Sequence, residues 1–274
     1  MGKFDGFMIV TDLDGTFFGE NTTYVERNIK AIEYFKNNGG RFTVATGRDS
    51  YFVTNPFPQV IELCNAPLIT SNGACIYNPA ENTLECLESL PSEKTLEIIR
   101  LLLAVQPELR VRLSLADGYV YEKEEQLMQF DREGFRGLVT VEPFDAFLDK
   151  QWLKVVAYGS KEQINHACEY LNTLDAPGFH FVSAFDENVE ILSEKATKGA
   201  KLKVLEEYIG ITDIKIAAIG DYFNDYEMIS SADIPATVEN GVDLLKQIPG
   251  VYVTCHHRDG AIADLIEHIE RTLI

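Results

Sequence analysis

Residues 9–18 read IVTDLDGTFF. The apolar run at its head, Phe7–Thr11, has the continuous hydrophobicity of a strand buried on both faces. It ends on two aspartates one residue apart, Asp12 and Asp14, followed by Gly15 and Thr16. Asp-Gly is a common turn dipeptide, which accounts for Asp14 and leaves Asp12 unexplained. A carboxylate at the end of a buried strand can act as a nucleophile, as a ligand for a hard cation, or as a general acid or base.

A second acidic cluster stands about two hundred residues later, in Gly220-Asp221-Tyr222-Phe223-Asn224-Asp225. Offsets of three and four bring Asn224 and Asp225 to the same side of a turn as Asp221. Helix capping explains one of these three residues and not all of them. Like charges gathered around an anionic substrate repel it, at about 4 kcal/mol per unscreened pair at ~4 Å and an effective dielectric near 20. A divalent cation is the expected third party, and oxygen-only ligands favour Mg²⁺.

Strands and helices alternate at both ends of the chain. Thr23-x-x-Glu26 has the form of a capping box, opening a helix that stops at Gly39-Gly40. Arg41–Thr46 is a strand ending in Thr46-Gly47-Arg48, and 67–70 is one ending in Ser71-Asn72-Gly73. The hydroxyl and guanidinium of Thr46 and Arg48 suit a phosphoryl oxygen. Asn72-Gly73 serves equally as a hairpin turn before 74–77. Strands are expected again at 214–219, 234–238 and 251–254, with a closing helix from Ala261. This alternation predicts a parallel sheet covered on both faces, with ligands beyond the carboxyl ends of its strands. Lys198 precedes a helix expected over 200–209 and could face that end; Lys195, Lys201 and Lys203 read as solvated surface charges.

The middle of the chain is patterned differently. A helix over 92–103 leads into a hairpin, Val111–Leu115 and Tyr119–Tyr121, turning at Asp117-Gly118. A helix around Lys123–Asp131 is expected next, then a strand from Trp152 to Tyr158, a helix over 161–174 and a second hairpin. The fold class is therefore α/β: a Rossmann-like, doubly wound core formed by 1–83 plus 191–274, with an α+β domain, 84–190, inserted.

Length and charge narrow the function. The 274 residues suffice for a sizeable core, and 46% hydrophobic with 24% charged content is ordinary for a globular protein. A net charge of −19, with no run of Lys or Arg, argues against nucleic acid or an anionic membrane surface as partner. Five scattered cysteines (Cys64, Cys75, Cys86, Cys168, Cys255) with no CxxC read as free thiols. With no signal-peptide layout and no membrane-length apolar stretch, the expected compartment is the cytoplasm. Cys255-His256-His257 invites a zinc reading, but lacks a second ligand cluster and reads as a loop before Asp259-Gly260.

Taken in order, DLDGT (12–16), ATGR (45–48), SNGA (71–74), KG (198–199) and GDYFND (220–225) resemble the haloacid dehalogenase-like (HAD) phosphatases, in particular their Cof-type branch. The resemblance spans essentially the whole chain, and the first and last motifs are very specific. That branch carries its α/β cap where 84–190 lies. The resemblance implies that Asp12 takes the phosphoryl group as an aspartyl-phosphate, and that Asp14 protonates the leaving oxygen and then deprotonates water. It further implies Mg²⁺ held by Asp12, the Asp14 backbone carbonyl and Asp221, with Asn224 and Asp225 in support. Thr46, Gly47 and Lys198 would bind phosphoryl oxygens, and Asn72 and Arg48 would face substrate or cap. The chain departs from the pattern at Phe17-Phe18, where leucines are usual, and at ATVEN (236–240), where an AMGNA-like segment is more common.

The expected substrate is a small phosphorylated metabolite such as a sugar phosphate, selected by the cap; Arg112, Tyr119 and Tyr121 on its first hairpin are the residues offered for that selection. A phosphomutase would use the same nucleophile, and a phospho-Asp signalling module would store the phosphoryl group without turnover. Asp14 and the large insertion argue against the signalling module.

Overall fold

The computed structural model describes residues 2–129, 131, 137–185, 187–211 and 213–273. The chain forms two compact units, one from Met1–Glu85 with Thr197–Ile274 and the other from Cys86–Ala196.

In the first unit, five parallel strands lie in the order Tyr252–Thr254, Ile234–Val238, Lys215–Gly220, Phe7–Thr11, Arg41–Val44. Phe7–Thr11 is therefore central, and all five of its residues are buried. Burial on both faces is why it reads as an unbroken apolar run. The apolar core on one face joins Phe7, Ile9, Phe42, Val44, Ala217 and Ile219 to Ile32 and Phe35 of the helix Glu26–Asn37 and to Ile262, Leu265 and Ile269 of the helix Ala261–Leu273. Leu68–Thr70 extends the sheet beyond Arg41–Val44 through the parallel bridge Ala45↔Ile69, and pairs antiparallel with Cys75–Asn78. Ser71–Gly73 joins that pair, so Asn72 does lie in a hairpin connection.

Two local expectations fail. The helix begins at Glu26 without a side-chain cap, and the Thr23 hydroxyl donates instead to Glu20 O at 2.8 Å. Thr23 closes the preceding turn, and Val25 occupies the cap position. Lys201 is buried, with only 6% of its surface exposed. It falls in a helical turn, Gly199–Lys201, that precedes the helix Leu202–Ile209, rather than on an outer face. Lys195 and Lys203 are exposed.

In the second unit, six strands run in the order Phe179–Phe185, Asn188–Ser193, Trp152–Tyr158, Arg110–Leu115, Gly118–Tyr121, Val139–Val141. Both predicted hairpins are antiparallel, and the last pair is parallel. Val111, Leu113 and Leu115 pack with Ile98, Ile99 and Leu102 of the helix Ser92–Val105 and with Ile164 and Ala167 of the helix Lys161–Leu171. The alternating Arg112 and Ser114 are buried as well, so the alternation marks two different buried faces rather than one wet face. Where a helix is expected around Lys123–Asp131, the chain makes a turn at Glu124–Gln126 and is helical at Gln129 and Asp131; residues 130 and 132–136 lie outside the described residues. No helix among the described residues is long and apolar enough to cross a membrane.

Candidate active site

The sheet brings chemistry to one edge because the polar residues follow its strands directly. Asp12 leaves the central strand with its amide still donating to Ile219 O at 2.9 Å, two residues before that neighbouring strand delivers Asp221. The chain then makes a single tight turn, Leu13–Phe17, closed by Phe18 N to Leu13 O at 2.9 Å. Gly15 sits in that turn at φ 83°, and a Cβ there would collide with the Asp221 carboxylate. Only glycine meets both conditions.

Lys198 holds the two acidic segments together. Its Nζ lies 2.6 Å from Asp12 Oδ1 and 2.7 Å from Asp225 Oδ1, with no exposed surface of its own. The other Asp225 oxygen accepts from the amides of Asp221 and Tyr222 at 3.0 and 3.1 Å, closing the turn at Phe223–Asp225. The Thr16 hydroxyl donates to Asp221 Oδ1 at 2.9 Å. One carboxylate oxygen from each of Asp12, Asp221 and Asp225 falls within 4.8 Å of the others.

With all three carboxylates ionised against one ammonium, the chain's own residues leave two negative charges uncompensated. Burial pushes the Asp12 carboxyl well up, opposed by Lys198 and reinforced by Asp225, Asp221 and Asp14. Burial, and next Asp225, push Asp221 up to about 7, against the Thr16 hydrogen bond. Burial works against the Lys198 charge, but Asp12 and Asp225 overcome it and the ammonium is held above its ordinary range. Such a set of hard oxygen donors with an unmet double charge fits a divalent cation.

The Asp14 carboxylate is turned elsewhere. It takes a two-pronged ion pair from Arg48, whose guanidinium also lies 5.0 Å from the centre of the Phe57 ring. Thr46 is buried, and its hydroxyl accepts from the Arg48 amide at 3.1 Å. Asn224 Nδ2 donates to Asn72 Oδ1 at 3.1 Å, and the same amide group packs against Gly47. The sites suggested by DLDGT, ATGR, SNGA, KG and GDYFND thus converge within the first unit. What the pattern did not reveal is how that convergence is braced. Buried Asp49 accepts from Ser71 Oγ at 2.5 Å, and the Ser71 amide donates to Arg48 O at 2.9 Å. Asp49 directly follows the TGR segment, the one local signal that could have flagged it.

In the second unit, Arg112 and Tyr121 converge on Asp131. The guanidinium lies 3.2 Å from both Asp131 oxygens and 4.3 Å from the centre of the Tyr119 ring, and the Tyr121 hydroxyl donates to the same carboxylate. Asp131 carried no sequence signal, since nothing local pairs it with a strand ten to twenty residues earlier.

A family model described as haloacid dehalogenase-like hydrolase matches residues 9–266. Over 269 residues the chain is 26% identical to the 5-amino-6-(5-phospho-D-ribitylamino)uracil phosphatase YitU of Bacillus subtilis, covering 96% of this chain and 97% of that protein. Over 273 residues it is 22% identical to the pyridoxal phosphate phosphatase YbhA of Escherichia coli, covering 96% and 98%. The fold superposes on that of BT4131, a HAD subclass IIB sugar phosphatase, with a TM-score of 0.77, 18% identity, and coverage of 96% and 98%.

Proposed function

The chain belongs to the haloacid dehalogenase-like hydrolases and is a phosphoric monoester hydrolase, and from that premise we propose a Mg²⁺-dependent reaction through an aspartyl-phosphate on Asp12. The observation that carries this reading is Lys198 held between Asp12 and Asp225 inside a triad of carboxylates with two charges unmet.

Asp12, Asp221 and Asp225, with the Asp14 backbone carbonyl, are the groups that would hold the cation. The cation supplies neutralising charge against the phosphoryl oxygens and the carboxylates around them. An Asp12 carboxylate oxygen attacks phosphorus as the bond to the ester oxygen breaks. Asp14 gives its proton to that departing oxygen, so that an alcohol leaves. Asp14 then takes a proton from water, whose oxygen attacks phosphorus, frees the Asp12 carboxylate and completes inorganic phosphate. Lys198 opposes protonation of Asp12 and aims it, and Thr46 with the Gly47 and Arg48 backbone lines the phosphoryl site. Rigid mounting of these groups at strand ends supplies the positioning on which phosphoryl transfer depends.

The substrate is a small phosphorylated metabolite. The sugar phosphatase activity of BT4131 and the ring-bearing substrates of YitU and YbhA support that class, and a sugar phosphate is our first choice within it. The test is release of inorganic phosphate from a panel of phosphorylated metabolites, with Mg²⁺ and with chelator. Activity that requires Mg²⁺ and disappears in Asp12→Asn is expected. Inactivity of the wild type across the panel, or full activity of Asp12→Asn, would overturn the proposal.

A further inference from the structure

Two segments the reaction does not use, Asn240 and the Cys255-His256-His257 stretch, meet on the turn that carries Asp14. Asn240 Nδ2 donates to Gly15 O at 2.9 Å, and its Oδ1 accepts from the His257 amide at 3.0 Å. The His257 ring lies with Nδ1 2.6 Å from Phe18 O. A carbonyl only accepts, so Nδ1 carries the proton in that contact.

We propose that Asn240 and His257 are positioning residues that set where Asp14 stands. Within Leu13–Phe17 the backbone at Asp14 (φ −85°, ψ 117°) and Gly15 (φ 83°) is not helical. Little in the turn itself holds that shape beyond its closing bond from Phe18 N to Leu13 O. Two of its carbonyls and that of Phe18, which closes it, are instead fixed from outside: Gly15 by Asn240, Phe17 by Asn28 Nδ2 at 3.2 Å, and Phe18 by His257. Asn28 is itself tied down, since its Oδ1 accepts from the Ala263 amide at 3.1 Å. Asn240 follows the strand Ile234–Val238, and His257 opens the turn after Tyr252–Thr254. The two strands farthest from Arg41–Val44 therefore reach back across the sheet edge to grip the turn. Gly15 is the residue directly after Asp14, so its carbonyl orientation and the Asp14 carboxylate position are set together. The chemistry tolerates little error in position: a displacement of about 1 Å can cost roughly a hundredfold in rate.

This inference rests on the reading of Asp14 as the acid for the leaving group, and its test separates the two. The measurement is kcat/KM for an alkyl phosphate, a hexose phosphate, and for p-nitrophenyl phosphate, whose leaving group departs without a proton. Asn240→Asp keeps the acceptor for the His257 amide and loses the donor to Gly15. His257→Leu removes the donor to Phe18, and His257→Asn returns a nitrogen near the place of Nδ1. We expect Asn240→Asp and His257→Leu to lose about 10- to 100-fold more on the alkyl ester than on the aryl ester. His257→Asn recovers most of that difference, and thermal melting shows all three variants folded. Equal losses on both esters, no loss, or no gain of His257→Asn over His257→Leu overturns the proposal. If Asp14→Asn itself loses equally on both esters, the acid assignment falls and this proposal with it. If Asp14→Asn discriminates and the brace variants do not, only this proposal falls; a wild type inactive on both esters sinks both.

Discussion

Arg48 grips Asp14 with both prongs, Nε 2.7 Å from one carboxylate oxygen and Nη2 2.7 Å from the other. The two side chains remain 26% and 30% exposed, so solvent screens the pair and its contribution to stability is small. Its value lies in orientation, because a guanidinium fork fixes a carboxylate plane that an ammonium cannot. Arg48→Lys is expected to cut kcat/KM by about tenfold or more while leaving the melting temperature nearly unchanged. Steady-state kinetics beside differential scanning fluorimetry decides it; a large melting shift with intact kinetics contradicts the orienting role.

Lys198 presents the opposite balance. It is fully buried between two carboxylates, and removing it strands their charges away from water. Lys198→Met is expected to cost about 3–5 kcal/mol in urea unfolding without divalent cation, and to abolish turnover. Added Mg²⁺ recovers stability in this variant more than in wild type and does not recover activity. Wild-type stability in the variant would show that the carboxylates do not depend on the ammonium.

Asp221 links the cation to pH. Without cation its carboxyl sits at about 7, against an ordinary 3.8. A carboxyl raised on folding keeps a proton that the unfolded chain releases, so this group's contribution to stability falls as pH rises from about 4 to about 7. A bound cation replaces the proton. Thermal melts in chelator should therefore decline across that window, and Mg²⁺ should raise the melting temperature far more above about pH 7 than at about pH 5. An equal Mg²⁺ shift at both pH values contradicts this linkage.

Two glycines separate backbone strain from crowding. Gly6 (φ 82°) and Gly15 (φ 83°) share a left-handed backbone, but a Cβ on Gly6 meets no atom within 4 Å whereas one on Gly15 meets the Asp221 carboxylate. Gly6→Ala is expected to cost about 1–2 kcal/mol and leave catalysis intact. Gly15→Ala adds displacement of Asp221, so it should lose activity and Mg²⁺ response beyond the stability deficit of Gly6→Ala. Isothermal titration with Mg²⁺ on both variants reads the difference, and matching titrations would count against it.

The parallel core and its acidic strand ends were legible because each signal is local: a doubly buried strand is apolar throughout, and a charge at its end stands out within five residues. What escaped was long-range. The burial of Lys201 depends on a helical turn preceding its helix, and Asp131 acquires meaning only from Arg112 and Tyr121. Thr23 matched a capping pattern, but its hydroxyl is committed backward to Glu20. His257 looked like a loop residue and Asn240 only like part of a departure from the family pattern, because their partners, Phe18 and Gly15, lie more than two hundred positions away.

The order of the central strands also bears on how the chain is made. Phe7–Thr11 pairs with Lys215–Gly220, so the strand that leads to Asp12 acquires this neighbour only near the end of synthesis. A nascent chain that has emerged only as far as Ala196 carries Asp12, Asp14 and Arg48 but neither Lys198 nor Asp221. Its first strand lacks the neighbour that covers one of its edges, and Asp12 lacks its ammonium. The inserted unit, by contrast, has its own apolar core and all of its strands by then. During translation it is therefore the middle of the chain that can settle first, with the unit that carries the candidate site completed last.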